Sequence, residues 1–224
     1  AEQIRSGGGV TANMGNIATS IGSGIADTLL VIVGGIYLAA RPDLYRSGII
    51  KLVPERGRGL AAKAMDDSGR ALRLWLLGRL VSMTVVGLLT GIGLWIIGVP
   101  AALTLGILSG LLEFIPFVGP IAASIPAILL ALAQSPEMAL WTALLYLVIQ
   151  QIEGNILEPL VQQRAVELPP ALLLFSIVAG ALVFGIVGII FAAPLTVVLY
   201  VLVKRLYVRE ALHTKTTIPG EEEH

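Results

Sequence analysis

The sequence predicts an all-α integral membrane protein: a polytopic α-helical chain with re-entrant helical hairpins and an interfacial amphipathic helix. Composition is the first observation, because 56% of the 224 residues are hydrophobic and only 13% are charged. Soluble domains carry about a quarter charged residues. Mean hydropathy is +0.87. The apolar residues also form long runs, which short polar or Pro/Gly-rich segments interrupt.

The order of these runs predicts five segments. They are a polar N-terminal segment (1–24), a membrane helix (25–40), a basic amphipathic segment at the cytoplasmic surface (41–74), a transmembrane core (75–206) and a soluble tail (207–224). The chain starts with AEQIRSGGG, which has neither an initiator methionine nor a signal-peptide core. We therefore expect it to begin partway through a longer protein.

The first apolar run, 25–40, stops at Arg41-Pro42. Its residues give about 24 Å of helix, so a hydrocarbon core of about 30 Å requires the preceding turns as well. In the next segment, apolar and charged residues fall mostly on opposite sides of a helix. This pattern predicts an amphipathic helix on the membrane, with a solvated helix as the alternative. It leads into a spanning helix, 75–98, with Trp75 and Trp95 near the two interfaces.

Residues 101–133 contain two apolar arms on either side of IPFVGP. Each arm gives roughly 20 Å of helix, which is too short to cross the membrane alone. Proline and glycine break helices, and broken backbone at membrane depth must lie inside protein or against water. The pattern predicts a first re-entrant hairpin. Two tilted helices joined at the membrane surface are the alternative.

A further run over 138–155 predicts a second full span. The block 171–203 is too long for one ordinary span and is interrupted by glycines and Pro194, so we predict a second hairpin of short helices. Its motif IIFAAPLTVVL loosely resembles IIGVPAALTLGIL at 96–108, which suggests an internal repeat, a feature of many secondary transporters.

Charge predicts the orientation of the chain. Basic residues are concentrated in 41–79 and again at Lys204, Arg205 and Arg209, so both regions should be cytoplasmic. An even number of crossings must separate them. Two spans and two re-entrant hairpins meet this condition, as do other even combinations. The basic residues lie beside a membrane helix, which favours the anionic lipid bilayer over nucleic acid as a partner.

Glu113 is a carboxylate within the first predicted hairpin. A carboxylate at the centre of a membrane helix costs roughly 2.5–3.5 kcal/mol, so such residues usually face a cavity and often bind ions or protons. Its neighbours Pro116, Gly119 and Pro120 favour a broken helix, where free carbonyls and helix ends form polar sites. The alternative is a Glu113 that solvates a helix end at the membrane surface.

A second candidate site follows the 138–151 run, in QQIEGNILEP. It concentrates amides and carboxylates at Gln150, Gln151, Glu153, Asn155 and Glu158. On a helix, Gln150 and Glu153 share one face, with Glu158 loosely beside them. Gln151 and Asn155 share another face, but the intervening glycine could let both sets converge on one solute. The alternative is a polar loop at the membrane surface.

Several enzyme classes lack their required residues. The chain has no cysteine, and its two histidines, His213 and His224, lie in the predicted tail. We therefore expect no histidine-based metal site or Ser/His pair in the membrane. No P-loop or dinucleotide-binding glycine motif occurs, which argues against ATP-driven transport by this chain. We expect no enzyme activity, no catalytic residues, no metal and no cofactor.

The chain resembles a known family over about residues 25–206. The resemblance lies in two stretches, GVPAALTLGILSGLLEFIPFVGPIAASIPAILLAL and VIQQIEGNILEPLVQQRAVELPPALLLFSIVAGALVFGIVGIIFAAPL. They resemble the bacterial autoinducer-2 exporter family, and IPFVGP and QQIEGNILEP are specific to it. The resemblance implies a multi-pass protein of the bacterial inner membrane, usually with eight membrane helices, that forms homo-oligomers. The two helices that normally precede residue 1 are absent here.

The resemblance also implies a transport function for the 75–206 core. Some members are implicated in export of the furanone quorum-sensing signal autoinducer-2, and others in Na⁺(Li⁺)/H⁺ antiport. The resemblance implies that the following residues correspond to family motif positions: Glu113, Pro116, Gly119, Pro120, Gln150, Gln151, Glu153, Asn155 and Pro159. The family often has an amide where Glu113 stands. The leading hypothesis is a secondary transporter of a small polar solute. A cation/proton antiporter using Glu113 and Glu153 and a non-transporting membrane scaffold are the alternatives.

Overall fold

The computed structural model describes residues 33–159 and 168–212, and within these ranges every regular element is a helix. The predicted all-α membrane fold class is confirmed. The predicted N-terminal segment (1–24), the beginning of the 25–40 helix and the tail beyond residue 212 lie outside the described residues. The chain divides into two compact units, Ala1–Ala62 and Lys63–His224.

The first unit contains α1 (33–40) and α2 (Pro42–Leu52), followed by a 3₁₀ turn at Glu55–Gly57. Arg41 separates the two α-helices, as the Arg41-Pro42 pair predicts. Pro42 can begin α2 because the first N–H groups of a helix have no partner within the helix. No residue of α2 is buried, so it belongs to the surface of this unit.

The remaining helices belong mostly to the second unit. They are α3 (Arg58–Ile97), α4 (Ala102–Leu112), α5 (Val118–Leu132), α6 (Pro136–Ile152) and α7 (Pro170–Val203). A π-helical turn, Glu153–Leu157, extends α6, and another, Lys204–Ala211, extends α7. The amphipathic part of the sequence and the predicted 75–98 span form one helix, α3, with no break between them.

Two helical stretches of the described chain are long and apolar enough to cross a membrane, Glu55–Ile97 and Pro170–Glu210. Helices α4 and α5 are apolar but shorter. By length they measure about 17 and 22 Å, less than a bilayer core of about 30 Å. The short arms predicted on either side of IPFVGP are therefore present as separate helices.

Helices α3 and α4 cross at glycine. Each carries a GxxxG pair, Gly87 and Gly91 on α3 and Gly106 and Gly110 on α4. A Cβ atom placed on Gly106 would lie 2.6 Å from the Gly91 Cα, so the two backbones are in direct contact. Small residues at this spacing allow such close approach between membrane helices. These motifs are not among the features predicted from the sequence.

The first hairpin (101–133) closes through residues 113–117, between α4 and α5. Phe117 has a positive φ of 65°, which turns the chain before α5 begins. Gly119 then packs directly against the backbone carbonyl of Leu112. Pro120 lies in the first turn of α5, where a missing N–H is tolerated. The predicted break is confirmed, and its re-entrant position remains a prediction.

The second hairpin (171–203) closes at Gly185, where φ is 61° and ψ is −138°. The chain reverses there, because the backbones of Gly180 and Gly188 touch, which a continuous helix would prevent. The IIFAAPLTVVL motif lies in the arm after this turn, whereas the motif it resembles runs from the end of α3 into α4. The two motifs thus occupy different positions in their hairpins.

Helices α3 and α6 run antiparallel in the core. Val86 clusters with Ile149, whereas Leu94, further along α3, clusters with Ala139 near the beginning of α6. Between these levels, a Cβ on Gly93 would lie 2.5 Å from the Leu145 side chain. The side chain of Ser135 accepts a hydrogen bond from the Met138 N–H at 3.1 Å and caps α6. This register determines which polar residues face each other.

We expect Gly119→Ala to lower the stability of the protein by about 1–3 kcal/mol, because the new methyl group would overlap the Leu112 carbonyl. Thermal unfolding in detergent, followed by tryptophan fluorescence, measures the change. Gly154→Ala is the matched control, since a Cβ there meets no atom within 4 Å. Equal midpoints for the two variants would contradict the close contact at Gly119.

Candidate functional site

Arg79 joins two carboxylates in the interior of the second unit. Its Nη2 donates to Glu113 Oε1 at 2.8 Å, and its Nη1 lies 3.6 Å from Glu153 Oε1. The Glu113 side chain is only 1% exposed, and those of Arg79 and Glu153 are each 13% exposed. We call Arg79, Glu113 and Glu153 the ion-pair network. It connects α3 with the ends of α4 and α6.

The ends of α4 and α6 bring the two carboxylates to Arg79. Glu113 is the first residue after α4, and its N–H still bonds to the Ser109 carbonyl at 2.9 Å. A carboxylate at a helix C-terminus meets the negative end of the helix dipole, so it needs a cation nearby. Glu153 begins the π-helical turn after α6, and such turns often occur at functional sites.

Aromatic packing accompanies the network. The ring of Phe114, next to Glu113, meets the ring of Trp75 edge to face, with centroids 6.0 Å apart. Trp75 also packs against the buried cluster of Ala71, Val197 and Val201. The sequence predicts Trp75 at a membrane interface, and the structure places it half-buried against the second hairpin. Trp95, the other predicted interface residue, is exposed.

Two further predicted site residues adjoin the network. The Gln150 side-chain amide donates to Glu153 Oε2 at 3.1 Å, as their shared helix face predicts. Glu158 is more exposed, but it is close enough to Glu153 and Arg79 to interact electrostatically with both. Because one guanidinium faces two buried carboxylates and a third carboxylate nearby, the fully ionised group carries excess negative charge.

The other predicted site residues lie apart from the network. The Asn155 side chain donates to the Gln151 carbonyl at 2.9 Å and to its Oε1 at 3.1 Å, and both residues are exposed. The two polar faces of QQIEGNILEP therefore stay separate in this conformation. Pro116, Gly119 and Pro120 shape the tip of the first hairpin, and Pro159 is exposed.

Sequence reasoning missed Arg79. It counted Arg79 with the basic residues of 41–79 that predict a cytoplasmic side, although the predicted 75–98 span contains it. A signal was available, since Arg79 already lies past Trp75, inside the apolar run that forms the predicted span. An arginine at that position needs a partner in the protein interior. Its partner Glu113 is 34 residues away, too far for a helical-face argument to find.

Two atoms of the network have unused hydrogen-bonding capacity. Within the described residues, Glu113 Oε2 and Arg79 Nε are buried and have no hydrogen-bond partner. Leaving a buried polar group unpaired costs about 1–3 kcal/mol, and more for a charged group. The network therefore has one free acceptor and one free donor. A solute with hydroxyl and carbonyl groups could satisfy both.

A second ion pair ties α3 to the end of the second hairpin. Arg205 Nη1 lies 3.5 Å from Asp67 Oδ2, and both side chains are largely buried. Arg205 belongs to the basic group that the sequence places on the cytoplasmic side. Among the described residues, no cluster of three or more His, Cys, Asp or Glu side chains is arranged to hold a metal ion.

The class of protein follows from its apolar helices, its two hairpins with glycine contacts at their turns and its buried ion-pair network. It is an α-helical membrane protein with charged side chains in its interior. Comparison with known proteins identifies its family. A family model described as AI-2E family transporter matches residues 1–207, and the chain belongs to that family. The resemblance seen in the sequence is confirmed.

Individual relatives agree with this assignment. The chain is 32% identical over 178 residues to YrrI of Bacillus subtilis (strain 168), named as a candidate transport protein; the match covers 80% of this chain and 50% of YrrI. It is 30% identical over 148 residues to PerM of Escherichia coli (strain K12), named as a candidate permease; that match covers 65% of this chain and 42% of PerM. The chain thus spans about half the length of these relatives.

We expect Arg79→Gln to lower the stability by about 3–5 kcal/mol, because it leaves two buried carboxylates without their cation. The double variant Arg79→Gln/Glu113→Gln should recover part of this loss. Thermal unfolding of both variants in detergent gives the coupling energy. Glu55→Gln is the control, since it breaks only the exposed pair with Arg58 and should change stability by less than about 1 kcal/mol. A small effect in Arg79→Gln, matching the control, would rule out a structural role for the network.

Proposed function

We propose that this protein is a secondary transporter that moves a small polar solute across the membrane, with autoinducer-2 as the leading candidate. The observation that carries the proposal is the buried ion-pair network, which lies where α4 ends and where α6 changes to a π-helical turn. Secondary transporters commonly place substrate sites at broken or irregular parts of membrane helices. Membership of a transporter family supports the same conclusion and favours transport over catalysis.

The energetics of the network suit a protein with two conformations. Separating a buried ion pair costs about 3–5 kcal/mol unless another partner replaces it. A bound solute that offers donors to Glu113 and acceptors to Arg79 would provide that replacement. The first hairpin, which carries Glu113, could then separate from α3. Solute binding and hairpin movement would be coupled through the same atoms.

The chemistry of the network indicates the kind of solute. Arg79 and the Gln150 amide donate hydrogen bonds, and the carboxylates of Glu113 and Glu153 accept them. Such a mixture fits a small molecule with several hydroxyl and carbonyl oxygens. Autoinducer-2, a furanone, meets this description. We further propose, on the family resemblance, that the protein is a multi-pass homo-oligomer in the bacterial inner membrane.

Na⁺(Li⁺)/H⁺ antiport is the second candidate function. The observation favouring it is the excess of carboxylate over guanidinium in the network, with Glu158 nearby. A buried carboxylate that lacks a full counter-charge can hold either a proton or a monovalent cation. Under this hypothesis, Glu113 and Glu153 would exchange the two ions, and Arg79 would keep the site from binding both at once.

Counterflow in proteoliposomes that contain the full-length protein separates these functions. Uptake of synthetic autoinducer-2 that continues without any ion gradient would support solute transport. A pH change driven by sodium or lithium would support antiport. If the folded protein produces neither signal, both transport functions would be overturned. The remaining hypothesis would then be a membrane scaffold.

We expect Glu153→Gln to reduce transport about tenfold or more while the protein yield stays at the wild-type level, because it removes one charge that Arg79 must balance. Initial rates in the same proteoliposomes measure the effect. Glu137→Gln provides the control, since Glu137 is an exposed carboxylate at the other end of α6. Wild-type rates in Glu153→Gln would remove this residue from the site.

A further inference from the structure

A column of buried polar side chains continues from the ion-pair network into the helix bundle. Ser109 lies one helical turn before Glu113 on α4. On α6, Tyr146 lies about two turns before Glu153, and Thr142 lies one turn further. Ser109 and Thr142 are buried, and Tyr146 is half-buried. Residues spaced this way share one helix face, so both helices direct polar groups to the same side as their glutamates.

Hydrogen bonds connect the part of this column that is nearer to the ion-pair network. The Ser109 Oγ and Tyr146 Oη atoms lie 2.8 Å apart, and Tyr146 Oη donates to the Ala123 carbonyl at 3.3 Å. Tyrosine has one hydroxyl proton, so Ser109 is the donor in the first bond. The chain of bonds therefore runs from α4 through α6 to α5. It joins the helices of the first hairpin to α6 at a level about one helical turn from Glu113.

Two threonines extend the column at the end that is farther from the ion-pair network. Thr90 on α3 and Thr142 on α6 are both 0% exposed, and among the described residues neither hydroxyl has a hydrogen-bond partner. The antiparallel register, with Gly93 against Leu145 and Leu94 clustered with Ala139, puts these threonines within about one to two helical turns of each other along the bundle. We define Thr90, Ser109, Tyr146 and Thr142 as the hydroxyl column.

Two other helical threonines, Thr84 and Thr196, behave differently. The Thr84 hydroxyl donates to the Leu80 carbonyl at 2.8 Å, and the Thr196 hydroxyl donates to the Ala192 carbonyl at 2.6 Å. Bonding to the carbonyl four residues earlier is the usual solution for a threonine in a membrane helix. Thr90 and Thr142 do not use it. Valine would fill the same space without an unpaired hydroxyl, so packing alone does not account for threonine at these two positions.

We propose that the hydroxyl column is a hydrated pathway along which a small uncharged solute rich in hydroxyl groups passes between the ion-pair network and the interior of the helix bundle. Hydroxyl groups both donate and accept hydrogen bonds, and they carry no charge to hold an ion. Buried polar groups of this kind are normally satisfied by water or by a ligand. The proposal rests on the proposed transport function and adds the path that the solute takes.

Cysteine labelling tests the pathway without any transport measurement. The 224 residues contain no cysteine, so Thr90→Cys and Thr142→Cys each add a single thiol to this part of the protein. Any cysteine elsewhere in the full-length protein is first replaced by alanine. The full-length variants, reconstituted in liposomes, are treated with 2-hydroxyethyl methanethiosulfonate, a small uncharged reagent. We expect labelling at least about tenfold faster than in Thr196→Cys, because a thiol reacts as the thiolate, which requires contact with water. Synthetic autoinducer-2 should slow the labelling.

Thr196→Cys is the matched control, since Thr196 is a buried threonine on α7, outside the hydroxyl column. Labelling of Thr90→Cys and Thr142→Cys as slow as in this control would overturn the hydrated pathway. If sodium slows the labelling and autoinducer-2 does not, the proposal of an uncharged solute would be overturned, and the result would indicate a pathway for cations. Fast, autoinducer-protected labelling in a protein that shows no counterflow would support the pathway and refute the transport function.

Valine variants provide a second test. We expect Thr90→Val/Thr142→Val to reduce autoinducer-2 counterflow about tenfold or more, with a thermal midpoint equal to or above that of the wild type, because no hydrogen bond is lost. Thr196→Val should show the reverse, a lower midpoint with an unchanged rate, because it loses the bond to Ala192. Wild-type counterflow in the double valine variant would contradict a role for these hydroxyls in transport.

Discussion

Charge that lies inside an apolar helix bundle must be balanced there, and in this protein Arg79 provides the balance. Glu113 lies at the unfavourable end of the α4 dipole, and Glu153 begins a π-helical turn, so both carboxylates would be costly without a cation. Arg79 is on α3, a long helix that reaches both carboxylates. One guanidinium group therefore links the first hairpin and α6 to α3, in addition to the glycine and apolar contacts between these helices.

Local sequence patterns predicted the helix interruptions well. The IPFVGP tip and the glycines of the 171–203 block contain residues whose backbone preferences are independent of the rest of the fold, so their effect can be read directly. The pairing of Gln150 with Glu153, and of Gln151 with Asn155, also followed from helical spacing. The predicted convergence of these two pairs requires a change in side-chain direction that spacing cannot specify, and they remain on separate faces.

Contacts between distant segments were beyond sequence reasoning. Nothing in the sequence near Arg79 points to Glu113, and only the fold brings Asp67 to Arg205. Likewise, a threonine in an apolar helix predicts a bond to its own backbone, as Thr196 shows, so the unpaired hydroxyls of Thr90 and Thr142 could not be anticipated. The GxxxG pairs of α3 and α4 were readable in principle, and the structure shows that they meet each other.

The glycine crossing of α3 and α4 determines how far apart these helices lie, and the nearest atoms across it are backbone atoms. A backbone contact of this kind resists separation of the helices far more than it resists sliding, because no side chain has to leave a pocket when one helix shifts along the other. The lengthwise register of the two helices must therefore be held by other contacts, and the bond from Arg79 to Glu113 is placed to do so.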